Sequence, residues 1–160
     1  IILSLLLIIM RVSKPHYAVL GKLPNSTIYR NIERFEDAIT WPEILILRYD
    51  EDIFFANAEH FFKSVLQEIK NHPRTKHIIL DMSSVSNMDS TGVDYMKRLQ
   101  KTINKMNLSL HLTGPKGPLR DFLTKNMVYD VVGYNFIYTN IEKAVQEVLE
   151  KDSIEHSLNE

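Results

Sequence analysis

Residues 81–93, with the sequence DMSSVSNMDSTGV, carry the densest group of side chains in this chain that could take part in chemistry. They include four serines, one threonine, two aspartates and one glycine. Hydroxyl and carboxylate groups of this kind can form a catalytic loop, a phosphate-binding loop or a docking surface. An apolar run at 78–80 precedes the segment and an apolar pattern with helical spacing follows it, which predicts a strand-to-helix connection.

An enzymatic interpretation of this segment lacks the residues that it would need. A phosphate-binding P-loop requires several glycines and a lysine at fixed offsets, whereas the segment has Gly92 alone and no lysine. A nucleophilic Ser90 would require a histidine base, and the G-x-S-x-G turn of serine hydrolases is absent. The candidate bases are His60, His77 and His111. We therefore predict no enzymatic activity, no catalytic residue and no cofactor, and turnover of a substrate at Ser90 would contradict this.

Composition excludes several other classes of function. The chain has 160 residues, 44% hydrophobic and 24% charged, which is typical of one globular domain. Its formal net charge of -1 offers no basic face for nucleic acid. The absence of cysteine excludes disulfides and thiolate chemistry. His72 and His77 have no nearby carboxylate that would complete a metal site, so we predict no bound metal.

The position of Ser90 favours display of a hydroxyl rather than catalysis. Either Asp89 or Ser90 is placed to cap the following helix, whose first free N–H groups attract anions. Phosphorylation of Ser90 would add nearly two negative charges, which the helix dipole tolerates and an apposed surface would repel. We therefore predict Ser90 as a regulatory phosphorylation site, within a loop that contacts an anion or a partner through Asp81, Ser83, Asp89, Ser90, Thr91 and Gly92. The alternative, that the serines only cap and turn the chain, stays open.

The rest of the sequence predicts the elements that position this loop. From residue 52 onward, apolar strand patterns alternate with amphipathic helix patterns four times. This alternation predicts an α/β domain with a mostly parallel or mixed central sheet and about four helices packed on it. A strand is expected at "EILILRYD", followed by a hairpin-like strand at "DIFFAN" that buries Phe54 or Phe55. Asn57 is expected to cap the first helix.

The two ends of the chain differ from the rest. The apolar run "IILSLLLIIM" is followed by Arg11 and Lys14, and it is shorter than the roughly 20 residues that span a bilayer. It is either the end of a membrane helix with a positive cytoplasmic flank or a buried first strand or helix. The last stretch, "KDSIEHSLNE", has few apolar residues and predicts a frayed tail.

The segment "IILDMSSVSNMDSTGVDYMKRL" resembles the signature of STAS domains, the sulfate-transporter and anti-sigma-factor-antagonist family. That signature is an apolar strand, an Asp, a Ser and a Val, then Asp-Ser-Ser/Thr-Gly at the start of a helix. The last four positions are Asp89, Ser90, Thr91 and Gly92. In free-standing antagonists of the family the serine that matches Ser90 is phosphorylated, so the resemblance implies the same role here.

Two further segments resemble the branch of the family found in SulP anion transporters. Residues 17–38 are similar to the stretch that joins the membrane helices to the STAS domain, and residues 44–61 resemble an arginine followed by "FFANAE". The short "NHPRT" after the first helix is typical of compact bacterial members. The resemblance implies three regions: the end of a truncated transmembrane helix and linker at 1–14, a STAS domain at 15–150, and a tail at 151–160.

The resemblance implies the cytoplasmic regulatory or interaction domain of a SulP-type secondary anion transporter for sulfate or a similar anion. This domain would not itself transport, and it would lie at the cytoplasmic face of the inner (plasma) membrane. Its expected partners are the transmembrane core, a second copy of the domain, a cytoplasmic protein such as acyl carrier protein or a kinase, or a nucleotide. The alternative is a free-standing anti-sigma-factor antagonist that is switched by phosphorylation of Ser90.

Overall fold

The computed structural model describes residues 2–4, 7 and 15–158, and for 155–158 only the backbone. Six strands form one sheet: β1 (Tyr17–Lys22), β2 (Tyr29–Asn31), β3 (Ile44–Tyr49), β4 (His77–Asp81), β5 (Ser109–Thr113) and β6 (Ile137–Tyr138). Their order across the sheet is β2-β1-β3-β4-β5-β6. Strands β3 to β6 are parallel, and β1 is antiparallel to both of its neighbours. The predicted mixed sheet is therefore confirmed.

Helices cover both faces of this sheet. They are α1 (Ala58–Asn71), α2 (Ser90–Lys105), α3 (Gly117–Lys125), α4 (Val128–Val132) and α5 (Ile141–Leu158), with a short 3-10 turn at Tyr134–Phe136. One core lies between the sheet and α1 to α4, and a second lies under α5. Apolar side chains on both faces explain why β3 and β4 are continuous apolar runs, as parallel strands usually are.

The apolar spacing of the helices predicts most of this core correctly. In α2, Val93, Met96, Leu99 and Ile103 are all buried, whereas Met106, which continues the same helical spacing in the sequence, is 45% exposed. The helix ends at Lys105, so Met106 no longer follows its periodicity. The periodicity of an amphipathic helix holds only as far as the helix itself.

The predicted strand at "DIFFAN" is wrong. Ile53 makes an isolated bridge to Met88 and is fully buried, but its neighbours form a turn. Phe55 is 74% exposed and Phe54 is half-buried, so neither ring is buried against α1 as predicted. The side chain of Asn57 closes this turn, because its Oδ1 accepts from the Phe54 N–H at 3.0 Å. Asn57 does precede α1, but it makes no side-chain cap to that helix.

The structure adds regular elements toward both ends of the chain that the sequence pattern does not predict. The segment before β3 contains the short strand β2, and α5 extends through the first eight residues of the predicted tail. Of the predicted membrane-helix end and linker at 1–14, only 2–4 and 7 are described; these are helical and exposed, and the rest lies outside the described residues. Within the described ranges, no helix combines the length and the apolar character that a membrane crossing requires.

Candidate functional site

The loop after β4 passes from one face of the sheet to the other. Asp81, the last residue of β4, lies on the face covered by α5, where it pairs in register with Arg48 of β3. Three side chains of the loop then enter the core on the side of α1 to α4: Met82, Val85 and Met88. The predicted site residues therefore divide into two groups, with Asp81 and Ser83 on one face and the residues from Asp89 onward on the other.

Asp89, and not Ser90, caps α2. Its Oδ1 accepts from the Gly92 N–H at 2.8 Å, and its Oδ2 accepts from the Phe55 N–H at 2.9 Å. Ser90 is the first helical residue, it is exposed, and its hydroxyl has no hydrogen bond to any described residue. The hydroxyl is thus displayed at the positive end of a 16-residue helix, where an added anion is favourable.

Gly92 lets α2 approach the loop between β3 and α1. A Cβ atom at this position would lie 2.5 Å from Cγ of Met88 and 2.6 Å from the carbonyl oxygen of Ile53. The second of these atoms is backbone and cannot turn away. Glycine is therefore required here by close packing, and this packing sets the position of Ser90 two residues earlier.

Asp52 joins the same two loops and was not anticipated from the sequence. Its Oδ1 accepts from the N–H groups of Ser86 and Asn87 at 2.7 and 2.8 Å. Burial acts to raise the pKa of Asp52, but the hydrogen bonds from Asn87 and Ser86 outweigh it and hold the pKa below its ordinary value. The signal that could have identified Asp52 is its place after the carboxyl end of a parallel strand, where site residues gather.

Together these contacts define a small exposed area, formed by Phe55, Asp89, Ser90 and Thr91, which we call the serine surface. Phe55 was not among the predicted site residues. Its ring packs edge-on against Phe54, with ring centroids 5.7 Å apart, and otherwise faces outward. Thr91 is half-buried beside Ser90. The serine surface therefore combines a large apolar ring with a free hydroxyl.

The second group of predicted residues opens into a groove of about 870 Å³ between the β1–β2 hairpin and the start of α5. Asp81 is only 7% exposed, and its two carboxylate oxygens accept from the N–H and the hydroxyl of Ser83 at 3.0 and 2.9 Å. Arg30, Arg48 and Lys143 bring positive charge to the walls. A groove at the carboxyl ends of parallel strands is the usual ligand position in open α/β sheets.

Glu142 closes one wall of this groove. Its carboxylate accepts from Lys22 Nζ and from the Tyr29 hydroxyl, both at 2.7 Å. The hydrogen bonds from Lys22 and Tyr29 lower the pKa of Glu142. Burial, with Glu142 adding to it, raises the pKa of Tyr29. The β1–β2 hairpin is therefore tied to the first turn of α5, and the negative charge of Glu142 is already compensated.

The three candidate histidine bases have other neighbours. His60 lies 3.4 Å from the Tyr49 hydroxyl, and His77 lies 3.2 Å from His111. His77 also lies 3.3 Å from Asp152 of α5. Within the part of the chain that the structure describes, no group of three or more His, Cys, Asp or Glu residues could hold a metal ion.

Comparison with known proteins agrees with this architecture. A family model described as the STAS domain matches residues 31–148. The chain belongs to the STAS domain family. This STAS domain is 36% identical over 154 residues to sulfate transporter 3.1 of Arabidopsis thaliana, and the match covers 90% of the chain and 23% of the transporter. The chain spans about a quarter of the length of the curated relatives that it matches.

Solved structures share the fold. The murine Slc26a9 anion transporter in its inward-facing state superposes with a TM-score of 0.83 at 22% identity, over 92% of this chain and 24% of that one. The SulP transporter STAS domain from Vibrio cholerae gives a TM-score of 0.60 at 20% identity, and the match covers 76% of this chain and 92% of that domain. A protein from Thermotoga maritima described as an anti-sigma factor antagonist gives a TM-score of 0.60 at 25% identity. That match covers 69% of this chain and 90% of the antagonist. The antagonist is a relative in fold, whereas the sequence relatives are sulfate transporters.

Proposed function

We propose that this STAS domain is the regulatory and interaction domain of a SulP-type secondary anion transporter and does not itself carry the anion. It lies at the cytoplasmic face of the plasma membrane, attached to the transmembrane core of the same protein, whose cargo is sulfate or a related anion. Similarity to a sulfate transporter over 90% of the chain supports this proposal. The fold shared with an anion transporter supports it as well.

One observation carries the regulatory part of the proposal, namely the double use of the Asp89 carboxylate. One oxygen holds the first turn of α2 and the other holds the backbone of Phe55. The displayed hydroxyl of Ser90 and the exposed ring of Phe55 are thereby tied to a single anchor. A rigid aromatic ring supplies contact area for a partner, and a free hydroxyl supplies a position where charge can be added.

The serine surface acts as a docking surface that phosphorylation of Ser90 switches. A phosphate at the start of α2 is compatible with the fold, because the helix dipole favours negative charge there. The same charge beside Phe55 disfavours contact with a partner surface, because burying it costs desolvation. The partner is the transmembrane core of the transporter. A second copy of the domain, acyl carrier protein and a kinase are further candidates.

Asp81 and Ser83 have a separate role in this proposal. They lie in the groove beside the start of α5, on the other face of the sheet from Ser90. Their contribution is to an anion or nucleotide contact in the groove. Phosphorylation of Ser90 acts on partner docking and leaves this groove unchanged.

The full-length transporter tests the docking role of Ser90. Sulfate uptake should change more in Ser90→Asp than in Ser90→Ala, because added charge is what an apposed surface detects. Phe55→Ala should change uptake in the same direction as Ser90→Asp. Ser153→Asp is the matched control, since it places the same charge on an exposed serine of α5.

Two outcomes contradict the proposal. If Ser90→Asp changes uptake no more than Ser153→Asp does, the serine surface is not a contact. If the gene encodes no membrane helices before Ile1, the transporter assignment itself fails and the free-standing antagonist becomes the better interpretation.

A further inference from the structure

A second, smaller cleft lies at the edge of the sheet where the first strand begins. Its walls include His16, Arg30, Arg34, Phe35, Arg48 and Asp50, and its volume is about 390 Å³. We call it the arginine cleft. The start of β1 and the end of β3 meet here, because the Asp50 N–H donates to the His16 carbonyl at 3.1 Å. In the sequence, His16 at this edge stands six positions after the end of the apolar run at 1–10.

The arginine cleft carries an excess of positive charge. Asp50 is its one acidic wall residue among those described, and it is already engaged by Arg48 Nε at 2.5 Å and by His16 Nδ1 at 2.7 Å. Arg30 and Arg34 are exposed, and neither guanidinium has a carboxylate partner within the described ranges. Arg30 Nη1 donates to the Tyr29 carbonyl at 3.2 Å, and no carboxylate of the described residues occupies the remaining donors of either guanidinium. Guanidinium groups of this kind bind phosphate oxygens in pairs.

An apolar ring stands beside these arginines. Phe35 is 38% exposed and follows Arg34 directly in the turn after β2. Arginines next to an exposed aromatic ring are typical of surfaces that touch the headgroup region of a bilayer, where the ring enters the boundary and the cations meet phosphates. A site for a small soluble anion has no need of such a ring.

We infer that the arginine cleft binds the phosphate group of an anionic lipid headgroup. The inference rests on the proposed function, because the apolar run would bring this edge of the sheet to the membrane. Arg30 and Arg34 supply the donors, Phe35 lies against the lipid boundary, and the contacts of Asp50 with Arg48 and His16 join the start of β1 to the end of β3 beside the cleft.

A second group of cations in the chain provides a matched control. Lys97, Lys101 and Lys105 line one groove on α2, spaced four residues apart. Helix α2 begins at the edge of the sheet where the parallel strands end, and it runs to the opposite edge, where they begin. At that opposite edge β5 starts with Ser109, whose N–H donates to the Lys76 carbonyl at 2.9 Å. These lysines therefore extend away from the edge that contains the arginine cleft. They carry comparable charge on a surface that is not directed to the membrane.

Co-sedimentation with vesicles tests the inference on the 160-residue chain. Phosphatidylcholine vesicles alone measure the contribution of the apolar run, and vesicles with about one part in three of phosphatidylglycerol add the charge-dependent contribution. Arg30→Gln/Arg34→Gln should reduce the charge-dependent binding by about fivefold for each removed charge, so about 25-fold in total. Lys97→Gln/Lys101→Gln removes the same charge and should leave this binding nearly unchanged.

A parallel titration with inorganic phosphate distinguishes a lipid from a free anion. We expect no saturable binding of inorganic phosphate that depends on Arg34, which lines the arginine cleft but not the groove beside Asp81. Equal losses in the two double variants would overturn the inference, and so would equal binding of the wild-type chain to neutral and anionic vesicles. Saturable phosphate binding that Arg34→Gln abolishes would overturn the lipid assignment and make the cleft a free-anion site. None of these measurements involves transport, so their failure is distinguishable from failure of the Ser90 test.

Discussion

Acidification should destabilise this domain through one buried histidine. His111 of β5 is 2% exposed and lies among aromatic rings, with the centroids of Phe136 and Tyr138 at 5.1 and 5.7 Å. Its Nε2 is 3.2 Å from His77, and its Nδ1 has no hydrogen bond to any described residue. Burial lowers the pKa of His111 to about 3, and electrostatic interactions with His77 and Lys151 contribute to the shift.

The sign of the effect follows from this depressed pKa. In the unfolded chain the pKa of a histidine is about 6.5, so the unfolded state takes up a proton at a pH where folded His111 stays neutral. The stabilisation is therefore present above about pH 6.5 and is lost as the pH falls toward about 3, at about 1.4 kcal/mol per pH unit. Between pH 7 and pH 5 the loss is about 2 kcal/mol.

Urea unfolding at pH 7, 6 and 5 measures this loss. His111→Phe keeps a ring in the aromatic cluster and removes the titrating group, so the variant should lose about 2 kcal/mol less than the wild type between pH 7 and pH 5. The two proteins are compared by how steeply the unfolding free energy changes with pH. Their absolute stabilities are not compared, because the variant also leaves His77 without its neighbour. The same pH dependence in both proteins would refute the reasoning, since folded His111 would then protonate as readily as it does in the unfolded chain.

Three further predictions concern the contacts that hold the loops. Gly92→Ala should lower the unfolding free energy by about 2–3 kcal/mol in urea titrations, because its Cβ meets backbone at 2.6 Å; a neutral result would contradict the close packing. Asp89→Ala should cost about 1–2 kcal/mol and Ser90→Ala less than about 0.5 kcal/mol in thermal melts, since Asp89 provides the cap; the reverse ranking would assign the cap to Ser90. Glu142→Gln should lower the unfolding free energy by about 1 kcal/mol, and a double-mutant cycle with Lys22→Met should show that the two effects are coupled. Additive effects of the two substitutions would disprove the contact.

The parts of the fold that the sequence predicts correctly are those with a regular and local signal. Strands β3 and β4 are apolar runs, and α1 and α2 have apolar residues at helical spacing, so each pattern is visible within one short window. The segment "DIFFAN" contains apolar residues as well, but Ile53 is the only one of them that is buried. Side chains bonded to backbone shape this turn, through Asp52 and Asn57, and hydrophobic patterns do not report such bonds.

The candidate site divides in the same way. A cap at either Asp89 or Ser90 follows from neighbouring positions in the chain, and the structure assigns the cap to Asp89 and places Ser90 as the first residue of α2. The groove beside Asp81 depends on a contact between Tyr29 and Glu142, which are 113 residues apart. No local pattern contains information about such a pair, because tertiary packing alone brings the hairpin to α5.

The tie between the hairpin and α5 also has a consequence for biosynthesis. Glu142 is made 120 residues after Lys22, so the hairpin stays without its anchor until the start of α5 has left the ribosome. Until then the apolar face that α5 covers, with Ile46 and Ile79, remains open to water and to other nascent chains. A stop codon before Ile141 would make this state permanent. Such truncated chains should therefore be bound by chaperones or degraded rather than accumulate as partly active domains.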